Sequence, residues 1–195
     1  IDGDGDLDLF IGQYKQPYVK GQMPTPYYDA NDGYPAYLFQ NDGNGVFTDI
    51  TERAGLGQKR FRRSYGASFV DLNEDGKFDL LVSSDFAGID IYEGNGHGMF
   101  KEVTNGWIDQ RHTFGMSHVF ADFNTDGKLD FFSVGMSSTT GRRLELMGLG
   151  RDEHKHIDAM RSPMSYGNRL YFATESGFEQ PSFNDQVSRT GWSWG

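Results

Sequence analysis

A chain of 195 residues can bury a core as one domain or as part of a repeat array. With 26 glycines, 15% aromatic and 36% hydrophobic residues it reads as a turn-rich β protein, since helices disfavour Gly and pleated strands accept aromatics. A formal charge of −10 and a pI near 4.8 exclude nucleic-acid binding by phosphate neutralisation and favour cations, zero cysteines exclude disulfides and thiolate sites, and no apolar run approaches the ~18 residues of a membrane-spanning helix.

In chain order, DGDGDLD at 2–8 runs into the apolar segment LFIG. Residues 14–34 form a Tyr/Pro/Gly-rich excursion, in which Tyr14, Tyr18, Tyr27 and Tyr28 are recognition candidates because loops on rigid scaffolds often carry binding. AYLFQNDGNGVFTDIT at 36–51 reads as strand, Asn/Gly turn and Phe-bearing strand, a hairpin signature. Lys59, Arg60, Arg62 and Arg63 make a local basic patch, expected on an exposed connection. SYGASFV, an aromatic-Gly lead-in with alternating residues, then precedes the nonapeptide DLNEDGKFD at 71–79 and the apolar LLVSS. GIDIYEGNGHGMFKEVT at 88–104 is a second hairpin.

The order then repeats. FGMSHVFA leads into DFNTDGKLD at 122–130, which runs into FFSVG. Residues 137–167 are an insertion with short helices expected around 142–147 and 154–160. NRLYFATESGFEQPSF at 168–183 is a third hairpin, and the closing TGWSWG looks like another lead-in.

One repeat is therefore strand, acidic loop, strand, connection, strand, tight turn, strand, which is a four-stranded antiparallel blade. The loop glycines Gly5, Gly76 and Gly127 stand 71 and 51 positions apart, so the connections differ in length while the units keep register. The expected organisation is all-β: a partial blade at 1–53, a blade at 62–106, a blade at 112–186 carrying the insertion 137–167, and the start of another at 190–195. The first loop is expected to lack its first ligand, one residue before Ile1, so that the chain reads as a segment of a longer array.

The acidic loops carry the clearest chemistry. Calcium takes 6 to 8 oxygens, which a short segment presents best from alternate positions. In the second loop Asp71, Asn73, Asp75, the Lys77 carbonyl and Asp79 form the expected set, with Gly76 permitting the sharp turn. The third loop offers Asp122, Asn124, Asp126, the Lys128 carbonyl and Asp130, and the first offers Asp2, Asp4, the Asp6 carbonyl and Asp8. Three copies in one register are strong evidence for Ca²⁺, because such carboxylates repel unless a cation intervenes. Nine of the 28 acids would then be ligands, and three Ca²⁺ would bring −10 to −4. An EF-hand would place Glu at the twelfth position and flank the loop with helices; here Val82 and Ser133 stand there, within strand-like runs.

The order of aromatic-Gly strand, D-x-[DN]-x-D-G-x-x-D loop, apolar strand, and YLFQNDGNGVFTDIT or NRLYF resembles the FG-GAP/VCBS repeats of integrin-α-like β-propellers. RTGWSWG and MSYGNRLYF further resemble proteins in which such repeats precede an ASPIC/UnbV domain. The resemblance implies a seven-bladed or similar ring, Ca²⁺ in the blade loops, and secretion or surface display, whether extracellular or periplasmic.

Other candidates are weaker. Asp152, Glu153, His154, His156 and Asp158 have oxygen and imidazole donors but no standard metal spacing. Ser117 and His118 are strand neighbours and so point to opposite faces, which rules them out as a nucleophile and base pair. Trp107, Trp192 and Trp194 have faces suited to sugars, although packing between blades is the simpler role. The expected function is a non-catalytic, calcium-binding adhesion, ligand-binding or surface-assembly module for a protein or glycan, without nucleic-acid binding or membrane insertion. Alternatives are a polysaccharide lyase or hydrolase, with His112, His118, His154 and Tyr166 as candidates, or a subunit of a large assembly.

Overall fold

The computed structural model describes residues 1–14, 29–150, 152 and 155–190. Three antiparallel sheets follow one another along the chain. The first contains β1 (Leu9–Ile11), β2 (Tyr37–Asn41) and β3 (Phe47–Asp49), in that order. In the second, β4 (Ser64–Val70), β5 (Asp79–Ser84), β6 (Gly88–Gly94) and β7 (Phe100–Glu102) form a four-stranded meander. The helical turn α1 (Thr104–Trp107) leads to the third, a meander of β8 (Gly115–Ala121), β9 (Asp130–Gly135), β10 (Arg169–Thr174) and β11 (Gly177–Glu179). The acidic nonapeptides connect β4 to β5 and β8 to β9, and the strands directly after them set aside the EF-hand arrangement.

Stacking of the sheets follows from the period of two. All six residues of β5 are buried, so the strand has no solvent face. Leu80 and Val82 point toward the first sheet and join Leu38, Ile50, Ala54, Leu56, Tyr92 and Phe100. Leu81 points the other way, into a core with Ile89, Ile91, Phe131, Tyr171 and Phe178. Phe131 and Tyr171 are cross-strand partners whose rings stack at 4.4 Å. A fully buried Leu contributes about 1.5–3 kcal/mol, so β5 alone anchors both interfaces.

Two smaller devices recur. Each inner strand carries an irregularity at the same place, between Ser64 and Gly66 in β4 and between Gly115 and Ser117 in β8, which is where the aromatic-Gly lead-in lies. At the outer edge, a side-chain oxygen reaches back to a main-chain amide in the next-to-last strand of each sheet. Thr51 Oγ1 accepts from Leu38 N at 2.8 Å, Thr104 Oγ1 from Ile91 N at 2.9 Å, and Asn184 Oδ1 from Leu170 N at 2.8 Å.

The insertion is helical, as expected. α2 (Thr139–Leu146) starts at Ser138, whose hydroxyl accepts from Gly141 N at 3.2 Å, and α3 (Lys155–Met164) runs four residues beyond the expected end. Buried Met164 closes a satellite core with Ala30 and Phe86. A last helical segment, α4 (Asn184–Ser188), carries Asn184. Among the described residues no helix is long and apolar enough to cross a membrane.

Candidate functional site

The three acidic loops share one backbone. Their fourth positions, Gly3, Glu74 and Thr125, have φ of +82°, +60° and +61°, and their sixth positions, Gly5, Gly76 and Gly127, have +93°, +80° and +89°. Glu74 and Thr125 pay strain for this left-handed geometry, which persists because the side chains on either side tie the loop down. Asp71 accepts from Asp75 N at 3.1 Å and Gly76 N at 2.8 Å; Asp122 accepts from Asp126 N at 3.0 Å and Gly127 N at 2.9 Å. Asn73 and Asn124 accept from the same Asp75 and Asp126 amides, and Asp75 and Asp126 accept from Lys77 N and Lys128 N at 3.0 and 2.8 Å. In the first loop Asp2 and Asp4 accept from Asp4 N and Asp6 N at 3.3 and 3.1 Å. Side-chain oxygens at alternate positions thus accept from main-chain amides within each turn.

The ninth residue has a further structural task. Asp79 is fully buried; it accepts from Leu72 N at 3.0 Å and, across the sheet, from Gly94 N of β6 at 2.9 Å. Asp130 repeats this with Phe123 N at 2.9 Å and Ala173 N of β10 at 2.8 Å. Asp8 repeats it with the nitrogen of Ile1 and with Asn41 N of β2, both at 2.9 Å. Each bolts its loop to the strand that pairs with the one following the loop, while keeping further lone pairs on both oxygens.

Electrostatics vary along the loops. Burial pushes the Asp79 carboxyl up despite its two amide donors, and Asp75 and Asp71 add to the push. Asp6 is also raised, by desolvation and then by Asp4, Asp8 and Asp2, and its Oδ1 is buried with no hydrogen-bond partner. Asp75 is lowered by the Lys77 side chain, 2.8 Å away, and Asp126 by the Lys128 amide. Among the described residues no three Asp, Glu or His side chains form a metal-holding group by themselves. The donor class nevertheless fits a hard cation: carboxylates and main-chain carbonyls share each turn, with an amide oxygen added in the second and third by Asn73 and Asn124, and an unpartnered acid oxygen and a buried, crowded carboxylate both favour positive charge.

The basic patch sits differently from the exposed connection expected. Arg62 and Arg63 are buried. Arg62 meets Asp90 at 3.1 Å and Asp29 at 3.0 Å, while Lys59 bridges Asp90 at 2.8 Å and Glu102 at 2.9 Å; Arg111 also pairs with Asp90. Burial would raise the Asp90 carboxyl, but Arg111, Arg62 and Lys59 outweigh it and hold it below the usual range. Arg63 grips Asp32 through two bonds of 2.9 and 2.8 Å and lies over the Phe86 ring. These side chains are cross-links because an acid inside the apolar strand GIDIYEG requires cations. The flanking of Asp90 by Ile89 and Ile91 was the available signal.

Ser117 and His118 do not pair. Instead His118 Nδ1 lies 2.8 Å from Ser83 Oγ and Nε2 lies 2.8 Å from Ser68 Oγ, joining β8 to β5 and β4. Burial lowers His118 to about 4. His112 faces Asp29 at 3.9 Å, and Tyr166 bonds Asp185 and lies against Arg169. Tyr14 stacks on Tyr65 at 4.6 Å and donates to Asp85 at 2.7 Å. Tyr18, Tyr27, Tyr28, Glu153, His154, Trp192 and Trp194 lie outside the described residues, as do the side chains of His156 and Asp158; Asp152 is exposed.

The profile of the FG-GAP-like repeat matches residues 1–82 and 71–133. Cartilage acidic protein 1 of Xenopus tropicalis is 29% identical over 149 residues, 71% of this chain and 21% of that protein. The Mus musculus and Homo sapiens proteins of that name are 26% and 25% identical over 127 residues, 64% of this chain and 19% of each. The chain spans about a fifth of the length of these curated relatives. With the repeat match covering more than half the chain, all three acidic loops and successive antiparallel sheets, the chain belongs to the FG-GAP-like repeat family and its sheets are β-propeller blades.

Proposed function

We propose that this chain is a calcium-stabilised, non-catalytic part of an extracellular binding module whose partner is a protein or glycan. The observation that carries the reading is the shared geometry of the three loops, with left-handed φ at positions four and six, side-chain oxygens at alternate positions accepting from loop amides, and a ninth Asp bolted across its sheet. Ca²⁺ bound by Asp71, Asn73, Asp75, the Lys77 carbonyl and Asp79, and by their counterparts in 2–8 and 122–130, would neutralise the crowded acids and couple ion binding to blade stability. An extracellular setting is supported by the modest affinity of such loops, which suits calcium-rich surroundings, and by the word cartilage in the relatives' name.

A non-catalytic role is supported by His118, whose nitrogens both face Ser hydroxyls and whose basicity is far below that of an efficient base at neutral pH. The test is a thermal melt of the full-length protein in millimolar Ca²⁺ and in excess EDTA. Each site filled at 100 times its Kd adds about 2.7 kcal/mol, so the Ca²⁺ melt should lie several degrees higher. Superimposable melts would refute the calcium reading.

A further inference from the structure

At the loop end of the molecule, an open groove of about 300 Å³ separates the second blade from the third. One wall is the acidic loop at Asn73 and Glu74; the other is Lys128 with the β10–β11 turn at Glu175 and Ser176. Past Trp107 it meets a second hollow of about 460 Å³ beside Glu93, Lys101 and Asn105, and Trp107 and Ser176 line both. We infer that this groove is a binding site for a neutral oligosaccharide, one ring of which stacks on Trp107.

Three observations carry it. Trp107 is only half-buried: it packs obliquely against Phe178 at 6.4 Å, it borders both hollows, and its indole N–H has no partner among the described residues. An amphipathic ring with a free donor in a cleft suits a ligand that offers a C–H-rich face and an acceptor edge. The wall is also built in advance. Gly177 has φ +140°, and a Cβ there would come within 2.4 Å of the Trp107 carbonyl oxygen, so the turn is seated on the Trp107 backbone. Thr104, at the start of α1, is buried and bonded to β6, which ties the turn that carries Trp107 to the second blade.

The lining chemistry selects the class. Asp71, Glu74, Glu93 and Glu175 stand against Lys101 and Lys128, with amides at Asn73 and Asn105 and a hydroxyl at Ser176. The lining is therefore net acidic, which disfavours polyanions, and its carboxylates are acceptors for hydroxyl groups. Glu102, at the rim, is already paired with Lys59 at 2.9 Å and adds no free charge for a basic peptide. Mixed donors and acceptors around an aromatic face match hydroxyl groups, which donate and accept at the same atom.

The inference deepens the binding-module reading, and its groove shares Asp71 and Lys128 with the proposed calcium loops. In the full-length protein labelled with 5-fluorotryptophan, the Trp107 resonance is assigned with Trp107→Phe. Neutral β-glucan, mannan and N-acetylglucosamine tetramers, hexa-arginine and a sulfated tetrasaccharide are then titrated to about 10 mM, in Ca²⁺ and in EDTA. At least one neutral tetramer should shift the Trp107 resonance saturably. Trp107→Ala should weaken its binding about tenfold or more, and the exposed changes Glu175→Gln and Lys101→Gln, which do not threaten folding, about threefold. Overturning results are no saturable shift with any neutral tetramer, a response only to hexa-arginine or the sulfated probe, or unchanged binding in both exposed variants. Loss of the Ca²⁺ effect on melting with a retained Trp107 response would refute the calcium proposal alone.

Discussion

The two ends of the second blade hold their charges by opposite means. At the loop end, Asp71 and Asp75 sit close together on an exposed turn, tied by backbone amides and by one exposed Lys77 pair. At the other end, Asp90 is fully buried and three cations, Lys59, Arg62 and Arg111, converge on it from the connections before and after the sheet. The first arrangement repeats three times and, in the proposed function, takes an external ion. The second occurs once among the described residues and supplies its own counter-charge, so it serves as an internal lock between blades. Exposed pairs contribute about 0–1 kcal/mol, whereas breaking a buried pair costs far more because it strands the partners.

The sharpest way to break this comparison is at Asp90. Asp90→Ala leaves Arg62 and Lys59 facing a buried void and should cost about 3–5 kcal/mol in urea denaturation. That cost should be equal in Ca²⁺ and in EDTA, since no acidic loop is involved. A calcium-dependent penalty would mean that the two ends are coupled.

Next in size is Asp79→Ala, which removes the acceptor for the Leu72 and Gly94 amides and should cost about 2–4 kcal/mol in Ca²⁺. Here the cost should fall in EDTA, because part of it is the lost ion. An identical cost in both buffers would make Asp79 a bolt and nothing more.

These contrasts explain what the sequence could and could not convey. The loops were legible because Asp, Asn and Gly recur at fixed spacing and each residue type has a local reason to be there. The strands were legible because runs such as LLVSS lie between loop and hairpin punctuation. Less visible was the outer clamp: Thr51 and Thr104 end F-x-x-x-T stretches, but the third copy lengthens to Phe178 and Asn184, so the pattern dissolves. The basic patch was misread as exposed because Asp90 lies 28 residues after Arg62 and Arg111 a further 21, and only folding gathers them. His118 was read with its chain neighbour Ser117, although a strand directs it to a neighbouring blade at Ser68 and Ser83.

The smallest expected effect is a cancellation. His118 sits at about 4 in the fold against an ordinary 6.5, so between those values the unfolded chain binds its proton first and stability falls as pH falls. Asp85, bonded to Tyr14 and pushed up to about 6 by burial from an ordinary 3.8, does the reverse: the folded chain binds its proton first, and stability falls as pH rises through that window. Each slope integrates to roughly 2–3 kcal/mol, and the two nearly oppose, leaving a net effect of about 1 kcal/mol or less between pH 4 and 6. His118→Gln should unmask the Asp85 slope, making the variant gain stability relative to the parent on acidification from pH 6.5 to 4. Asp85→Asn should unmask the His118 slope and do the opposite. Urea midpoints across pH 4 to 7 decide it: if both variants run parallel to the parent, neither group titrates in the fold as its burial requires, and the end of the blade opposite the loops is wetter than its packing indicates.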